Sequence, residues 1–397
     1  MKIANFPKIA SAAELIRWIG ALLLLSVSVG FISGVFLYVL DGVTNLRLQV
    51  PYLIFGLPFA GYFMVWYYQK FAPSYQAGTK MVVAALKNGN QNWNFFLAPL
   101  IFVTTLLTHL CGGSAGREGT AVQMAAGMQA ALGKLFQFDA TKQSIFLRCA
   151  LAAGFSAVFG VPFAGFVFAF EVDKTKGINA FAVASACFCS IMANTVALLL
   201  PISHTTYKTP LLPDWSFGLF LALLACCLAF GFTARLFIEL QEKIAFLFQK
   251  ITDKKPLQAF VGGCIIIALA FVLQTDRYLG LGIPEIESAF QQPSDGTVFG
   301  WKLLFTASTL AAGFKGGEVT PLFFIGATLG SFLAVPLGLP IGFVAALGFV
   351  AVFGAAAALP ITCAVMCLEL FGIPYFLVAL PVCLMARIFA GKKSIYT

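Results

Sequence analysis

The chain is built of long apolar stretches separated by short glycine-rich interruptions. Residues 19–27 and 219–230 are near-continuous apolar runs. Runs of this kind fit buried or membrane helices, whereas a membrane β-barrel needs short segments of alternating polarity. The pattern predicts helices over residues 10–16, 18–46, 52–70, 79–87, 95–110, 118–133, 141–156, 161–174 and 179–200. It predicts a further set over 215–248, 256–274, 282–291, 297–312, 318–334, 341–356, 359–371 and 374–390. Many are too short to cross ~30 Å of hydrocarbon at ~1.5 Å per residue. The breaks between them are expected at 111–119, 154–161, 313–319 and 354–359. Irregular backbone at membrane depth is tolerated only where it is buried in protein or lines a cavity, and broken helices commonly carry a substrate path.

Composition sharpens this picture. Of 397 residues, 60% are apolar and only 10% are charged. A water-soluble fold of this size cannot hide so much apolar surface, so the fold class is an all-α polytopic membrane protein. The 43 phenylalanines and 37 glycines suit close packing of membrane helices. The first apolar run follows Lys2, Lys8 and Arg17 with no small-residue cleavage site, and is expected to stay as a first span. The ten cysteines lie in apolar stretches without a C-x-x-C pair. With His109 and His204 too scattered for a metal site, the cysteines read as small buried hydrophobes, and no cofactor is called for. The net charge of +9 is gathered at the amino terminus, at 243–255 and at Lys392 and Lys393. This is membrane-flanking charge, not a nucleic-acid surface, and it places those regions and both termini in the cytoplasm. The segment 201–214 carries only Lys208 and is expected outside.

Two motifs repeat. Gly116-Arg117-Glu118-Gly119-Thr120 and Gly316-Gly317-Glu318-Val319-Thr320 both read G-x-E-x-T, 200 residues apart. Val161-Pro162, with Glu171 nine residues on, is echoed by Leu359-Pro360 with Glu369 nine residues on. The chain therefore reads as two homologous membrane halves, 1–200 and 201–397, inverted in the bilayer, with no soluble domain. Glu118 and Glu318 each open a helix inside a membrane-depth break. A carboxylate there is expensive and usually functional. A helix start presents unpaired N–H groups and partial positive charge, and so binds anions. Glu118 becomes a tethered anion at an anion site, released by protonation. The alternatives are a cap paired with Arg117 for Glu118, and a dipole-compensating acid for Glu318. Glu171 and Glu369 read as structural acids, near the surface or paired with lysines such as Lys174. Tyr396 is, on composition alone, part of a frayed tail.

Four stretches resemble the CLC chloride channel and transporter family. Gly116-Arg117-Glu118-Gly119 resembles its G-R-E-G-P signature. The segment from Ala150-Leu151-Ala152-Ala153-Gly154 through Val161-Pro162-Phe163-Ala164-Gly165 to Glu171 resembles A-A-A-G, A-P-L-A-G and E. Gly316-Gly317-Glu318-Val319-Thr320-Pro321 resembles G-G-x-F-A-P, and Ser394-Ile395-Tyr396 resembles the terminal P-x-Y. The resemblance implies two inverted halves of tilted, broken helices, a homodimer with one pathway per subunit, and a terminal tyrosine reaching the central anion. Thr120 follows Gly119 where the family has proline, Glu318 stands at an apolar position, and Val319 replaces phenylalanine. Val172 replaces a second proton glutamate, and G-S-G-I-P is reduced to Ala77-Gly78-Thr79-Lys80. These departures are similar to the bacterial fluoride/proton antiporter branch, which often has methionine where Thr79 is the nearest candidate here.

The resemblance thus implies a secondary transporter in a bacterial inner membrane, exporting fluoride against protons without a cofactor. Glu118 is its gate and proton carrier and Glu318 a coupling acid. Gly116, Arg117, Gly119, Thr120, Val319, Thr320, Tyr396, Gly78 and Thr79 line the anion path. Fluoride needs many donors to replace its water, which amides of broken helices and the Thr320 and Tyr396 hydroxyls supply. A CLC-type transporter or channel for chloride or another anion is the alternative. An intramembrane enzyme using Glu118 and Glu318 as acid and base lacks a nucleophile or metal cluster.

Overall fold

The computed structural model describes residues 11–173, 179–202, 204, 205, 207 and 211–396. Among them are sixteen α-helices and two short 3-10 helices, with no strand beyond a single bridge between Gly116 and Gly317. By contact the helices gather into two compact units. One comprises residues 1–41, 72–103 and 118–205; the other comprises 42–71, 104–117 and 206–397.

The first unit is organised around α6 (Ala140–Phe159), which packs on α5 (Glu118–Leu135), α7 (Pro162–Glu171) and α8 (Ala180–Leu198). Asp139 caps α6 by accepting from the Lys142 N–H, and that bond holds its carboxyl below the usual range. The fold joins the two segments expected at 10–16 and 18–46 into one helix, α1 (Ala12–Gln49). No glycine or proline interrupts the chain at Arg17, and its guanidinium is satisfied by the Phe136 carbonyl. Trp18 beside it donates to Ser185 at 3.1 Å and packs on Phe138, Phe146 and Phe181. The break expected at 154–161 is shorter than its glycines imply. Helix α6 runs to Phe159, and Gly154 serves packing, since a Cβ there would lie 2.9 Å from the Ala121 carbonyl of α5. Arg148 of α6 forms a 2.6 Å ion pair with Asp173, their side chains 6% and 0% exposed. Lys174, the expected partner of Glu171, lies outside the described residues.

The second unit contains α2 (Leu57–Phe71), the second half of α4 (Leu97–Leu110) and α9 to α16. Helix α2 packs on α10 (Lys255–Leu273). Helix α14 (Ile341–Ala357) packs on α9 (Phe217–Ile251), α13 (Val319–Ala334) and α16 (Ile373–Ala390). Helices α13 and α14 touch backbone to backbone. A Cβ on Gly326 would lie 2.0 Å from the Gly348 carbonyl oxygen, and one on Gly348 would lie 2.1 Å from that of Gly326. Helix α14 also passes its expected end, running to Ala357, so the break of 354–359 narrows to Ala358 and Leu359 before α15 (Pro360–Phe371).

Among the described residues five helices are long and apolar enough to cross a membrane: Ala12–Gln49, Ala180–Leu198, Phe217–Ile251, Lys255–Leu273 and Ile373–Ala390. Six further apolar helices, among them α4, α7, α13 and α15, have only 10–17 residues. Eight cysteines are buried as expected, while Cys187 is half-buried and Cys264 exposed.

Candidate functional site

The second unit brings the two repeated motifs into direct contact. Gly116 N–H donates to the Gly317 carbonyl at 2.6 Å, and Gly317 N–H returns a bond to the Gly116 carbonyl at 2.7 Å. The motif loop before Gly116 is pinned from several directions. Gly113 N–H donates to the Thr108 carbonyl at 2.8 Å. Ser114 receives α12 (Val298–Ala311): its N–H donates to the Thr309 hydroxyl at 3.2 Å, and its hydroxyl pairs with that of Thr306 at 2.9 Å. His109 lies with one ring nitrogen 2.9 Å from the Thr105 carbonyl and the other 3.1 Å from that of Ala115. His109 is therefore a brace of the loop. Chain order puts Arg117 and then Glu118 directly after the bridged Gly116, and Glu318 directly after the bridged Gly317.

On the α13 side, Glu318 is the N-cap residue, at φ −96° and ψ −15°, and its side chain makes no capping bond to the helix. Val319 and Thr320 follow as buried first-turn residues, and Pro321 sits where a missing N–H has no cost. The carboxyl-terminal segment is tied down. Ile395 N–H donates to the Ala356 carbonyl at 2.9 Å, and the Ser394 hydroxyl donates to that of Ala357 at 3.1 Å. Arg387 holds the carbonyls of Ala355, Lys392 and Lys393. Tyr396 is half-buried and its N–H donates to the Ser394 hydroxyl, so the tail is docked rather than frayed.

On the first unit's side, Glu118 is the first residue of α5 and only 1% exposed, with Gly119 and Thr120 buried beside it. Gly78 is the N-cap of α3 (Thr79–Asn88) at φ +58°. The Thr79 hydroxyl lies 3.4 Å from the Gly119 carbonyl, to which it donates, and accepts from Gln123 Nε2 at 3.3 Å. That hydroxyl, expected to face an anion, is thus engaged within the fold. Gln123 also donates to the Gly119 carbonyl at 3.0 Å. The sequence reading passed over Gln123, Ser114, Thr306 and Thr309, because their partners are far along the chain. It also passed over a legible signal. The string G-x-G-I-P stands at Gly280-Leu281-Gly282-Ile283-Pro284, opening α11 (Ile283–Ala289), where the Lys302 ammonium donates to the Gly280 carbonyl at 2.7 Å.

Comparison with known proteins agrees with these motifs. A family model described as voltage gated chloride channel matches residues 60–391. A protein of Pseudomonas syringae pv. tomato named chloride/fluoride channel protein is 34% identical over 386 residues, covering 96% of this chain and 85% of that one. The crystal structure of a CLC-type fluoride/proton antiporter superposes with a TM-score of 0.92 at 31% identity, covering 98% of each chain. That of a slow cyanobacterial Cl−/H+ antiporter gives a TM-score of 0.82 at 18% identity over 96% of each chain, a likeness of fold. With family model, sequence relative and fold in agreement, the chain belongs to the voltage gated chloride channel (CLC) family of polytopic membrane proteins.

Proposed function

We propose that this chain is a fluoride/proton antiporter that exports fluoride from the cytoplasm in exchange for protons. The observation that carries the reading is the Gly116–Gly317 bridge, which pairs the backbone of the two repeated motifs just before their acids in the chain. The solved fluoride/proton antiporter, at 31% identity, supports the choice of ion and of coupling, and the 34% identical relative is named for both chloride and fluoride.

Glu118 acts as gate and proton carrier. Two negative charges do not share a dry site cheaply, so an arriving anion favours Glu118 protonated or displaced. Glu318 is the coupling acid, its side chain making no capping bond to α13. Gly116, Arg117, Gly119, Thr120, Val319, Thr320 and Tyr396 supply amides and hydroxyls along the path, and fluoride rewards dense donors because it is small and strongly hydrated.

The architecture behind this function is a twofold internal repeat, α1–α8 against α9–α16. The offset is 204 residues from Gly78 to Gly282, 200 from Gly116 to Gly316 and 198 from Pro162 to Pro360. The chain works as a homodimer in a bacterial inner membrane with both termini cytoplasmic.

The test is efflux from liposomes holding the purified protein. Fluoride is expected to leave faster than chloride, and an outward fluoride gradient is expected to drive protons inward. Chloride efflux equal to or faster than fluoride efflux would return the protein to a chloride transporter or channel. Glu118→Gln keeps shape and cannot titrate, so proton uptake is expected to vanish; undiminished uptake would leave Glu118 a helix cap.

A further inference from the structure

Helix α5 ends in a turn that builds an aromatic wall. Phe138 N–H donates back to the Gly133 carbonyl and Gln137 N–H to that of Lys134, both at 3.1 Å, with Gln137 in the left-handed region at φ +51°. This paired closure ends many helices. It brings the Phe136 and Phe138 rings nearly parallel, with centroids 5.7 Å apart, and lays Phe138 against buried Trp18 of α1 at 5.0 Å. Between this wall and the starts of α1 and α6 lies a cleft of about 110 Å³. That is several times the room one water needs.

The charges that line the cleft are divided. Lys142 Nζ donates to Glu14 Oε1 and lies 3.4 Å from Asp139, so two carboxylates share one ammonium and keep acceptor capacity to spare. Arg17 stands one turn beyond Glu14 on α1. Its guanidinium donates to the Phe136 carbonyl and meets no carboxylate among the described residues. A guanidinium carries five N–H donors, so donors remain for a ligand. Two bases against two acids sum to zero, with the open cation on one side and the shared acids on the other. A plain anion would meet Arg17 with Glu14 and Asp139 close by, and a plain amine would meet the acids with Arg17 close by. A ligand that carries both charges satisfies both sides, and the aromatic wall favours its ammonium.

We propose that this cleft binds the headgroup of a zwitterionic aminophospholipid, with its phosphate on Arg17 and its ammonium on the side of Glu14 and Asp139. The surroundings favour a lipid over a soluble zwitterion. Helix α1 is long and apolar enough to cross a membrane, and Glu14 and Arg17 stand in its first two turns, where such a span meets water. Beside them Leu15, Ile16 and Ile19 are 42%, 71% and 45% exposed, and Leu135, next to Phe136, is 69% exposed. Apolar side chains exposed around a charged cleft suit the acyl chains of a lipid whose headgroup the charges hold. A primary ammonium is specified, since its N–H groups donate to carboxylates and a trimethylated one has none to give. The cleft lies at the far end of α5, about 25 Å along the helix from Glu118, so its test does not depend on which ion is moved.

The experiment is native mass spectrometry of the full chain in detergent, with short-chain phosphatidylethanolamine, phosphatidylcholine or phosphatidylglycerol added at equal concentration. Phosphatidylethanolamine is expected to bind tightest. Arg17→Gln is expected to weaken it roughly tenfold or more, and Arg17→Lys, which keeps the charge, to recover part of the loss. Glu14→Gln is expected to weaken phosphatidylethanolamine by a similar factor and to strengthen phosphatidylglycerol, which has no ammonium and is repelled by the acid. That opposite movement separates a headgroup site from a packing role, since a distorted fold would lose both lipids together. Soluble phosphoethanolamine at the same concentration is expected to leave the lipid adduct in place. Equal binding of the three lipids to wild type overturns the proposal, as does unchanged phosphatidylethanolamine binding in Arg17→Gln or loss of both lipids in Glu14→Gln. Displacement by phosphoethanolamine would assign the cleft to a soluble zwitterion and overturn the lipid as its occupant.

Discussion

Gly326→Ala puts a methyl group where two helix backbones already touch. The new Cβ would start 2.0 Å from the Gly348 carbonyl oxygen. A carbon–oxygen contact is relaxed near 3.3 Å, so α13 and α14 must part by roughly 1.3 Å. The obstacle is a main-chain carbonyl inside a helix, and no side-chain rotation relieves it. A gap of that size forfeits more than half of the dispersion energy of each contact it opens. Those contacts include Gly330 against the Val344 carbonyl, where a Cβ would lie 2.3 Å away, and the Phe323–Phe349 stack at 3.9 Å. Overpacking of cores typically costs 1–3 kcal/mol, and this site belongs at the upper end, about 3 kcal/mol. The thermal midpoint is then expected to fall by roughly 6 °C or less for a chain of this size. Because α13 begins at Val319 and carries Thr320, fluoride transport should fall as well. Gly20→Ala is the control: it sits in α1 with nothing within 4 Å, and is expected to be neutral or stabilising by about 0.5–1 kcal/mol. Adding Gly348→Ala to Gly326→Ala should cost less than the single change alone, since the helices have already parted. The assay is a melt of the detergent-solubilised protein followed by liposome efflux. Wild-type melting and wild-type efflux in Gly326→Ala would refute the close-contact argument.

Two further outcomes follow from the site and one from the fold. Glu318→Ala is expected to slow fluoride efflux strongly or to release it from protons; full rate together with full coupling in the paired recordings would reduce Glu318 to a dipole-compensating acid. Tyr396→Phe removes one hydroxyl from a tail that stays docked through Ser394 and Ile395, so folding should hold while efflux slows by about 1–3 kcal/mol in barrier terms; wild-type kinetics would show that the hydroxyl does not meet the anion. Arg148→Leu removes the guanidinium from buried Asp173 and from the Ala169 carbonyl, with an expected loss of about 3–5 kcal/mol, seen as a collapse of the monodisperse size-exclusion peak; an unshifted peak and melt would mean that Asp173 is satisfied without it.

What the sequence shows about this protein is what is local. The openings of α5 and α13 were legible because glycine, acid and threonine stand within five residues of each other, and because Pro162 and Pro360 mark helix starts in their own right. The single span of α1 was not, since Arg17 looks like an interruption until its partner, the Phe136 carbonyl, is seen 119 residues away. Gly154 and Gly354 looked like breaks for the same reason: a glycine that admits a neighbouring helix is spelled like one that ends its own. In the site, the acids could be named from the chain, whereas their supports could not. Ser114 meets Thr306 across 192 residues, and Gln123 meets Thr79 across 44.

The abundance of short helices bears on how the protein is made. A segment such as Pro162–Glu171, ten residues long, reaches about 15 Å, half of the hydrocarbon thickness. Released alone from the ribosome into lipid, its open ends would face hydrocarbon with N–H and carbonyl groups unmatched. It must wait at the insertion machinery until α6 and α8, its neighbours in the first unit, are available. Insertion is therefore expected to proceed in clusters, a short helix such as α7 settling only once the long apolar span Ala180–Leu198 has followed it. Nascent chains arrested just after Glu171 should remain open to the quality-control proteases, and those arrested after Leu198 should not.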